Sequence, residues 1–272
     1  MTVWNPWHGC RKISPGCAHC YVYRRDAEFG RDSRIVTKTA SFDLPLKKNR
    51  RKEYKLQPSQ GPVYTCMTSD FFIEEADEWR GEIWQMMKIR SDLQFIITTK
   101  RIHRFEQCIP RDWGDGYENV AVCCTCEDQT RADYRLPILL KAPICYKSVI
   151  HEPMLGRINI EKYLKTGQIR QVICGGESGD EARICDFAWV LYSMEQCVRH
   201  DVNFHFKQTG ANFKKGEKIY HIHRKDQMIQ AYKAGVDYVV GLGRPKDENQ
   251  LSGEQQACDE NVLMEGIRQQ KP

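Results

Sequence analysis

Residues 119–128, with the sequence NVAVCCTCED, contain the pattern that decides the fold. An almost continuously apolar run ends at Thr125, and the carboxylates of Glu127 and Asp128 follow closely. Such a short apolar run is typical of a strand that is buried on both faces of a parallel sheet. The flanking sequence contains five more runs of this kind: Val63–Thr68, Gln94–Thr99, Ile144–Ile150, Gln171–Gly175 and Asn203–Lys207.

Helix-like stretches lie between these runs. Apolar residues recur at three- and four-residue spacing from Phe72 to Met86 and from Phe187 to Val198, and Asp128–Leu140 and Ile158–Thr166 are two further candidates. Strands that alternate with helices in this way indicate βαβ units. We therefore predict a wound or barrel-like α/β domain.

Polar residues follow each predicted strand at the point where it ends. If the sheet is parallel, they gather at its carboxyl edge, where such folds place their active sites. The residues that we select from this edge as candidate binding residues are Ser69, Asp70, Lys100, Glu127, Gly175, Gly176, Glu177, Ser178 and Lys207.

The alternation of strands and helices stops after Gly210. We predict one domain over residues 1–210 and a C-terminal extension over residues 211–272, with a short helix at Arg224–Ala234 that Gly235 caps. The last 30 residues are hydrophilic, and their composition is that of a partly disordered tail.

Composition places the chain among ordinary globular proteins, with 41% hydrophobic and 28% charged residues. No apolar run is long enough to cross a bilayer, and the N-terminus has no secretory pattern, so we expect a cytoplasmic protein. The net charge of +5 is uneven: residues 1–60 contain 13 Lys and Arg against 5 Asp and Glu, with the densest run at Lys47–Lys52. This run is either a solvated loop or a surface for phosphate-bearing partners.

Three of the 13 cysteines, Cys10, Cys17 and Cys20, lie within eleven residues of a loop rich in Gly and Pro. A tight cysteine group in a reducing compartment indicates a metal site, and three thiolates leave one metal position open for a ligand. Spacing alone leaves two alternatives, an iron–sulfur cluster or a zinc site with His8 or His19 as the fourth ligand.

The pattern around these cysteines, WNP-x2-GC-x-K-x-SPGC-x2-CY over residues 4–21, resembles the phage Gp37/Gp68 family of radical-SAM-like proteins with a three-cysteine motif. The resemblance continues in order to about residue 210, through motifs that begin at Ser69, Thr98, Glu127, His151, Gly175 and Phe206. Two features depart from the usual radical SAM pattern: six residues separate Cys10 from Cys17, and His19 stands at a position that is often aromatic.

The resemblance implies a partial (βα)6-type radical SAM barrel with a small C-terminal extension. It also implies a [4Fe–4S] cluster on Cys10, Cys17 and Cys20, with S-adenosyl-L-methionine (SAM) bound at the open iron and cleaved to a 5′-deoxyadenosyl radical after one-electron reduction by an external reductant. The rim residues selected above become candidate SAM contacts. Cys126 becomes a candidate hydrogen-atom donor, as a cysteine is in the similar spore photoproduct lyases.

Two functions of different class follow. The first is a radical SAM enzyme that acts on a nucleic acid or nucleotide, in DNA repair or base modification. The alternative is a non-catalytic, zinc-stabilised protein that binds nucleic acid through its basic face. Only the first gives a role to the polar residues at all six strand ends, and we therefore favour it.

Overall fold

The structure, a computed structural model, describes residues 2–242; the predicted disordered tail falls largely on residues 243–272, which lie outside the described residues. Within these described residues there are twelve strands: β1 (Thr2–Trp4), β2 (Trp7–His8), β3 (Thr37–Lys38), β4 (Val63–Thr65), β5 (Phe95–Thr99), β6 (Val120–Thr125), β7 (Tyr146–His151), β8 (Ile169–Gly175), β9 (Ile184–Asp186), β10 (Asn203–Gln208), β11 (Asn212–Lys215) and β12 (Lys218–His221).

Seven helices accompany these strands in the described part of the chain. They are α1 (Tyr21–Glu28), α2 (Asp77–Ile89), α3 (Phe105–Cys108), α4 (Gln129–Lys141), α5 (Glu161–Leu164), α6 (Phe187–Arg199) and α7 (Gln227–Lys233). No helix within residues 2–242 is both long and apolar enough to cross a membrane.

The prediction of an α/β fold with a parallel sheet is confirmed. Seven strands form one sheet in the order β1-β4-β5-β6-β7-β8-β10, and β1 with β4, β4 with β5, β7 with β8 and β8 with β10 all pair in parallel. Each of the six apolar runs overlaps one of these strands, and β7, β8 and β10 extend one or two residues beyond their runs. The edge strand β1 was missed, because three residues are too few for a periodic pattern to be recognised.

The chain divides into two compact units. The first contains the residues up to Ile13, Val22–Cys123 and Lys141–Tyr146; the second contains Ser14–Tyr21, Cys124–Leu140 and the residues from Lys147 onward. The predicted division at residue 210 stays a prediction. A small sheet, in the order β12-β11-β9, joins strands from both sides of that position.

Each unit has an aromatic core. In the first unit, Trp84 packs at a steep angle against Phe71 and Trp113, with ring centroids 4.8 and 4.9 Å apart. In the second, Phe213 packs against Phe187 and Phe206 at 5.6 and 5.9 Å. Tilted contacts of this kind add to the stabilisation that comes from burying the rings.

The predicted C-terminal helix is confirmed as α7, preceded by a 3-10 turn at Arg224–Asp226. Gly235 has a φ of 61°, and its N–H donates to the Tyr232 carbonyl over 3.0 Å. A residue without a Cβ adopts this left-handed conformation readily, so Gly235 ends the helix as predicted.

A buried arginine holds the segment that contains the basic run of residues 47–52. Arg90 is 1% exposed, and its guanidinium donates to the Pro45 carbonyl over 2.6 Å and to the Leu56 carbonyl over 2.8 Å. The guanidinium also pairs with Asp92 at 2.8 Å and lies 4.1 Å from the Tyr54 ring centroid. Arg90 therefore fixes both ends of the segment.

We expect Arg90→Met to lower the free energy of unfolding by about 2–4 kcal/mol, because the two buried carbonyls would lose their charged donor. Urea unfolding, with midpoint and slope compared to wild type, measures this. Arg34→Met is the matched control: it removes an exposed arginine that also pairs with an aspartate, Asp32, and should leave the urea midpoint close to that of wild type. Equal effects of the two substitutions would contradict the anchoring role.

Candidate functional site

Within the described residues, none of the three loop cysteines forms a disulfide bond, and each is half-buried. Cys10 belongs to the first unit, whereas Cys17 and Cys20 belong to the second. In contrast, eight of the other nine cysteines in the described part of the chain are buried. The loop thiols combine access to a ligand with partial shielding from water, which Cys145 alone shares among the other described cysteines.

Cys10 lies beside a buried arginine. The Nη1 atom of Arg101 points at the Cys10 sulfur over 3.8 Å, and its Nη2 donates to the Arg11 carbonyl over 2.8 Å. The Cys10 N–H donates to the Ser33 carbonyl over 2.7 Å. A donor near the sulfur suits a metal-bound thiolate, because hydrogen bonds to ligating sulfurs stabilise their negative charge.

Asp70 joins the ends of β4 and β5 in the first unit. One carboxylate oxygen accepts from the Thr99 hydroxyl at 2.7 Å, and the other accepts from the Lys100 N–H at 2.8 Å and lies 3.5 Å from the Arg101 guanidinium. Burial lowers the pKa of Arg101, but the negative charges of Asp70 and Cys10 outweigh it, so the pKa lies above its ordinary value. Asp70 thus positions a permanent cation beside the cysteine.

Two other predicted residues of the first unit have different roles. The Ser69 hydroxyl donates to the Gly9 carbonyl, whereas the Lys100 side chain is half-buried. Gly9 has a φ of 98°, and a Cβ there would lie 2.3 Å from the Ile35 carbonyl oxygen. No other residue type fits at this point of the loop, so Ser69 holds a turn that is already restricted to glycine.

The second unit contains the loop segment from Ser14 to Tyr21. Pro15–Cys17 form one 3-10 turn, in which the Cys17 N–H donates to the Ser14 carbonyl over 2.9 Å. The Ser14 hydroxyl lies 3.7 Å from the Cys17 sulfur. This hydroxyl is a second polar group beside a loop thiol.

Glu127, at the end of β6, contacts this turn directly. Its side chain has no solvent exposure; one carboxylate oxygen accepts from Arg135 at 2.6 Å, and the other accepts from the Gly16 N–H at 3.3 Å. Arg135 also donates to the Thr125 carbonyl over 2.7 Å. The carboxylate is therefore paired with a cation and bonded to the loop.

Glu177, at the end of β8, is held in the same manner. Its two oxygens accept from Arg183 at 2.7 and 3.0 Å, and the Arg183 Nη2 also donates to the Pro15 carbonyl over 3.0 Å. Burial raises the pKa of Glu177, but the hydrogen bonds from Arg183 outweigh it and leave the pKa below its ordinary value. The residue is thus an ionised partner of Arg183.

Lys207 and the two adjacent glycines lie together in the second unit. Lys207 pairs with Glu152 at 2.7 Å. A Cβ on Gly175 would lie 3.0 Å from a Glu152 oxygen, and one on Gly176 would lie 2.2 Å from the Thr209 carbonyl oxygen. Gly176 is therefore required by the close approach of two backbones, and Ser178 follows it half-buried.

Cys126 and His151 lie next to each other in the core of the second unit, and neither is exposed to solvent. Burial raises the pKa of the Cys126 thiol, so the thiol keeps its proton. The His151 Nδ1 lies 2.6 Å from the Cys126 carbonyl oxygen, which can only accept, so Nδ1 carries the ring proton. Its Nε2 is buried and has no partner among the described residues.

The donors around the loop thiols fit an anionic sulfur ligand set, since a guanidinium lies by Cys10 and a hydroxyl by Cys17. Over residues 2–242, however, no three His, Cys, Asp or Glu side chains are grouped so that they could hold a metal ion. The two candidate zinc histidines have carboxylate partners: His8 lies 2.9 Å from Asp26, and His19 lies 3.2 Å from Glu181.

Sequence reasoning selected none of Arg135, Arg183 and His151 as a site residue, although His151 begins one of the motifs of the family resemblance. Arg135 lies on the buried face of α4, a helix that begins two residues after Glu127. Arg183 lies in an irregular segment, where no periodicity predicts a partner. A polar residue among apolar neighbours in the sequence was the available sign of such a role, and it was clearest for Arg135 and His151.

Comparison with known proteins gives one match. The model of a family described as a protein of unknown function, DUF5131, matches residues 1–257. No curated protein and no solved structure matches the chain.

Acid should destabilise the protein through His151. Burial lowers the pKa of His151 from 6.5 to about 4. Between these values the unfolded chain binds a proton that the folded chain does not, so the stability due to this residue is lost as the pH falls from 6.5 towards 4. We expect His151→Phe to flatten the dependence of the free energy of unfolding on pH in this interval, measured by urea unfolding at several pH values. An unchanged slope would contradict the assignment, and His223→Phe, which replaces an exposed histidine, is the control.

Proposed function

The chain belongs to the DUF5131 family, and we propose that it is a radical SAM enzyme with a [4Fe–4S] cluster on Cys10, Cys17 and Cys20 that acts on DNA or a nucleotide. The observation that carries the proposal is the combination of three half-buried thiols in one short loop with polar groups beside two of them. The resemblance to the phage Gp37/Gp68 family supports it, as does the parallel sheet, which we propose is a partial (βα)6-type barrel.

When bound and reduced by an external one-electron donor, the cluster would supply the electron that cleaves SAM to methionine and a 5′-deoxyadenosyl radical. The protein's part is to bind, to orient and to exclude water. Arg101 would donate to the Cys10 sulfur, and Asp70 would keep that guanidinium in place through its own contacts with Thr99 and Lys100.

The backbone around Gly175 and Gly176 is the proposed approach for SAM. Glu152 and Thr209 fill the space that a Cβ would take at these two glycines, so a ligand would be contacted there through backbone groups. Lys207 is the nearby cation; it is 40% exposed despite its pair with Glu152, so it can still receive an anionic group such as the SAM carboxylate. Ser69 and Ser178 remain proposed hydroxyl contacts.

Cys126 remains the proposed hydrogen-atom donor. A donor of this kind must keep its S–H bond, and burial, which raises the pKa of this thiol, preserves the protonated form. Transfer of the hydrogen atom to a substrate radical would leave a sulfur radical, which the external reductant and a proton return to the thiol.

An exposed basic turn supports a phosphate-bearing substrate. Arg50, Arg51 and Lys52 are all exposed. The side chain of Asn49 orders the turn, because its Oδ1 accepts from the N–H groups of Arg51 and Glu53 at 2.8 and 3.1 Å. With Arg90 holding the ends of the segment, three cations are displayed on a fixed scaffold, as contact with a nucleic acid backbone requires.

Anaerobic reconstitution tests the cofactor. We expect about four iron and four sulfide per chain and dithionite-dependent release of 5′-deoxyadenosine from SAM, because three thiolates leave one iron open. Cys17→Ser should abolish both, whereas Cys145→Ser, which changes a half-buried cysteine outside the loop, should alter neither. A colourless protein with stoichiometric zinc would overturn the proposal, as would a full cluster that does not cleave SAM.

Charge reversal at the basic turn tests the substrate class. We expect the variant Arg50→Glu/Arg51→Glu/Lys52→Glu to bind mixed-sequence DNA more weakly, and the slope of log affinity against log salt to fall by roughly 2–3, because each lost phosphate contact releases fewer counterions. Fluorescence anisotropy on duplex and single-stranded probes measures both quantities. Lys162→Glu/Lys165→Glu, on the second unit, is the matched control, and an equal loss there would refute a specific role for the turn.

A further inference from the structure

Two carboxylates at strand ends of the second unit hold adjacent residues of the cysteine loop through hydrogen bonds. Glu127 accepts from the Gly16 N–H at 3.3 Å, and Glu177 acts through Arg183, whose Nη2 donates to the Pro15 carbonyl over 3.0 Å. The loop donates one of these hydrogen bonds, from the Gly16 N–H, and accepts the other, at the Pro15 carbonyl. Cys17 is the next residue in the chain.

The loop has little rigidity of its own. Pro15–Cys17 is a single 3-10 turn, held by the bonds from Cys17 to Ser14 at 2.9 Å and from Ala18 to Pro15 at 3.1 Å. A turn this short gains its fixed conformation mainly from tertiary contacts. The position of Cys17 is thus set by what the loop touches.

The contact between Glu127 and Gly16 is tightly packed. Gly16 is buried, and a Cβ on it would lie 3.0 Å from both the carbon and oxygen atoms of the Glu127 side chain. Glu127 cannot retreat, because it has no solvent exposure and its other oxygen is bonded to Arg135 at 2.6 Å. The loop can therefore approach this close only with glycine at position 16.

The contact that Glu177 makes through Arg183 is partly open to solvent. The Arg183 side chain is 33% exposed and Glu177 is 6% exposed. Both oxygens of Glu177 are used by the guanidinium, and one of them also accepts from the Arg183 N–H at 2.9 Å. The carboxylate is thereby committed to orienting Arg183, and Arg183 to the Pro15 carbonyl.

We infer that Glu127 and Glu177 are positioning residues of the cysteine loop, which hold the backbone at Pro15 and Gly16 so that Cys17 and Cys20 present their thiols in one arrangement, and that they do not contact SAM. This inference rests on the proposed function, since the arrangement matters because the thiols are cluster ligands. It departs from the expectation, drawn from the family resemblance, that both carboxylates bind SAM.

The test uses cluster-free full-length protein, so it reports on the loop alone. Trypsin cleavage after Lys12 and Arg24 isolates Cys17 and Cys20 on one peptide and leaves Cys10 on another, so mass spectrometry resolves their alkylation rates. We expect Gly16→Ala and Arg183→Gln each to raise alkylation of the Cys17–Cys20 peptide by about tenfold, the effect of losing one charge-assisted hydrogen bond. Cys10, in the other unit, should change by less than about twofold.

Arg34→Gln is the control for loss of a guanidinium, because its bidentate pair with Asp32 does not involve the loop. Arg183→Lys, which keeps the charge next to Glu177, should restore part of the protection. Circular dichroism checks that every variant is folded, and Gly16→Ala stands in for substitution of the wholly buried Glu127.

A second measurement separates the two roles of Glu177. In reconstituted protein, Glu177→Gln should lower the iron content while the SAM dissociation constant per loaded cluster stays within about twofold of wild type. Weaker SAM binding with unchanged alkylation would overturn the inference, as would wild-type alkylation in both Gly16→Ala and Arg183→Gln. If the variants expose the thiols but wild type forms no cluster, the positioning role stands and the proposed function fails.

Discussion

The carboxylate of Glu127 carries the strictest constraint in the second unit. A charge with no solvent exposure costs several kcal/mol unless a partner of opposite sign and further hydrogen bonds replace its water. Arg135 supplies the charge, and the Gly16 N–H supplies a bond to the second oxygen. The buried Glu127 carboxylate is therefore tolerated only because helix α4 brings Arg135 to it and the cysteine loop passes close to the end of β6.

The same logic governs the other strand ends. Asp70 has Thr99, Lys100 and Arg101 around it, Glu152 has Lys207, and Glu177 has Arg183. Four strands of the main sheet, β4, β6, β7 and β8, are thus followed by an acid that is paired with nearby donors. The polar residues at these ends serve the structure first, and only those with spare hydrogen-bonding capacity, such as Lys207, are available to a ligand.

The sequence predicted the strands of this fold wherever a run of apolar residues was long enough to be recognised. All residues of β6 are buried, and composition alone predicted six of the seven strands of the main sheet, including β10, in which buried and half-buried residues alternate. The edge strand β1 and the small sheet of β9, β11 and β12 are too short for such a pattern. The candidate residues were found by their place after a strand, but their partners were not, because Arg183 is brought to Glu177 by an irregular segment that has no local signal.

The distribution of buried and half-buried thiols has a consequence for how the protein is oxidised. Burial raises the pKa of Cys66, Cys126 and Cys174, so these thiols are almost never in the thiolate form that peroxide attacks. The thiols of the loop are half-buried, so an oxidant in solution can reach them directly. Oxidation therefore reaches the loop before these three buried thiols, and the packed core outlasts the loss of the loop thiols.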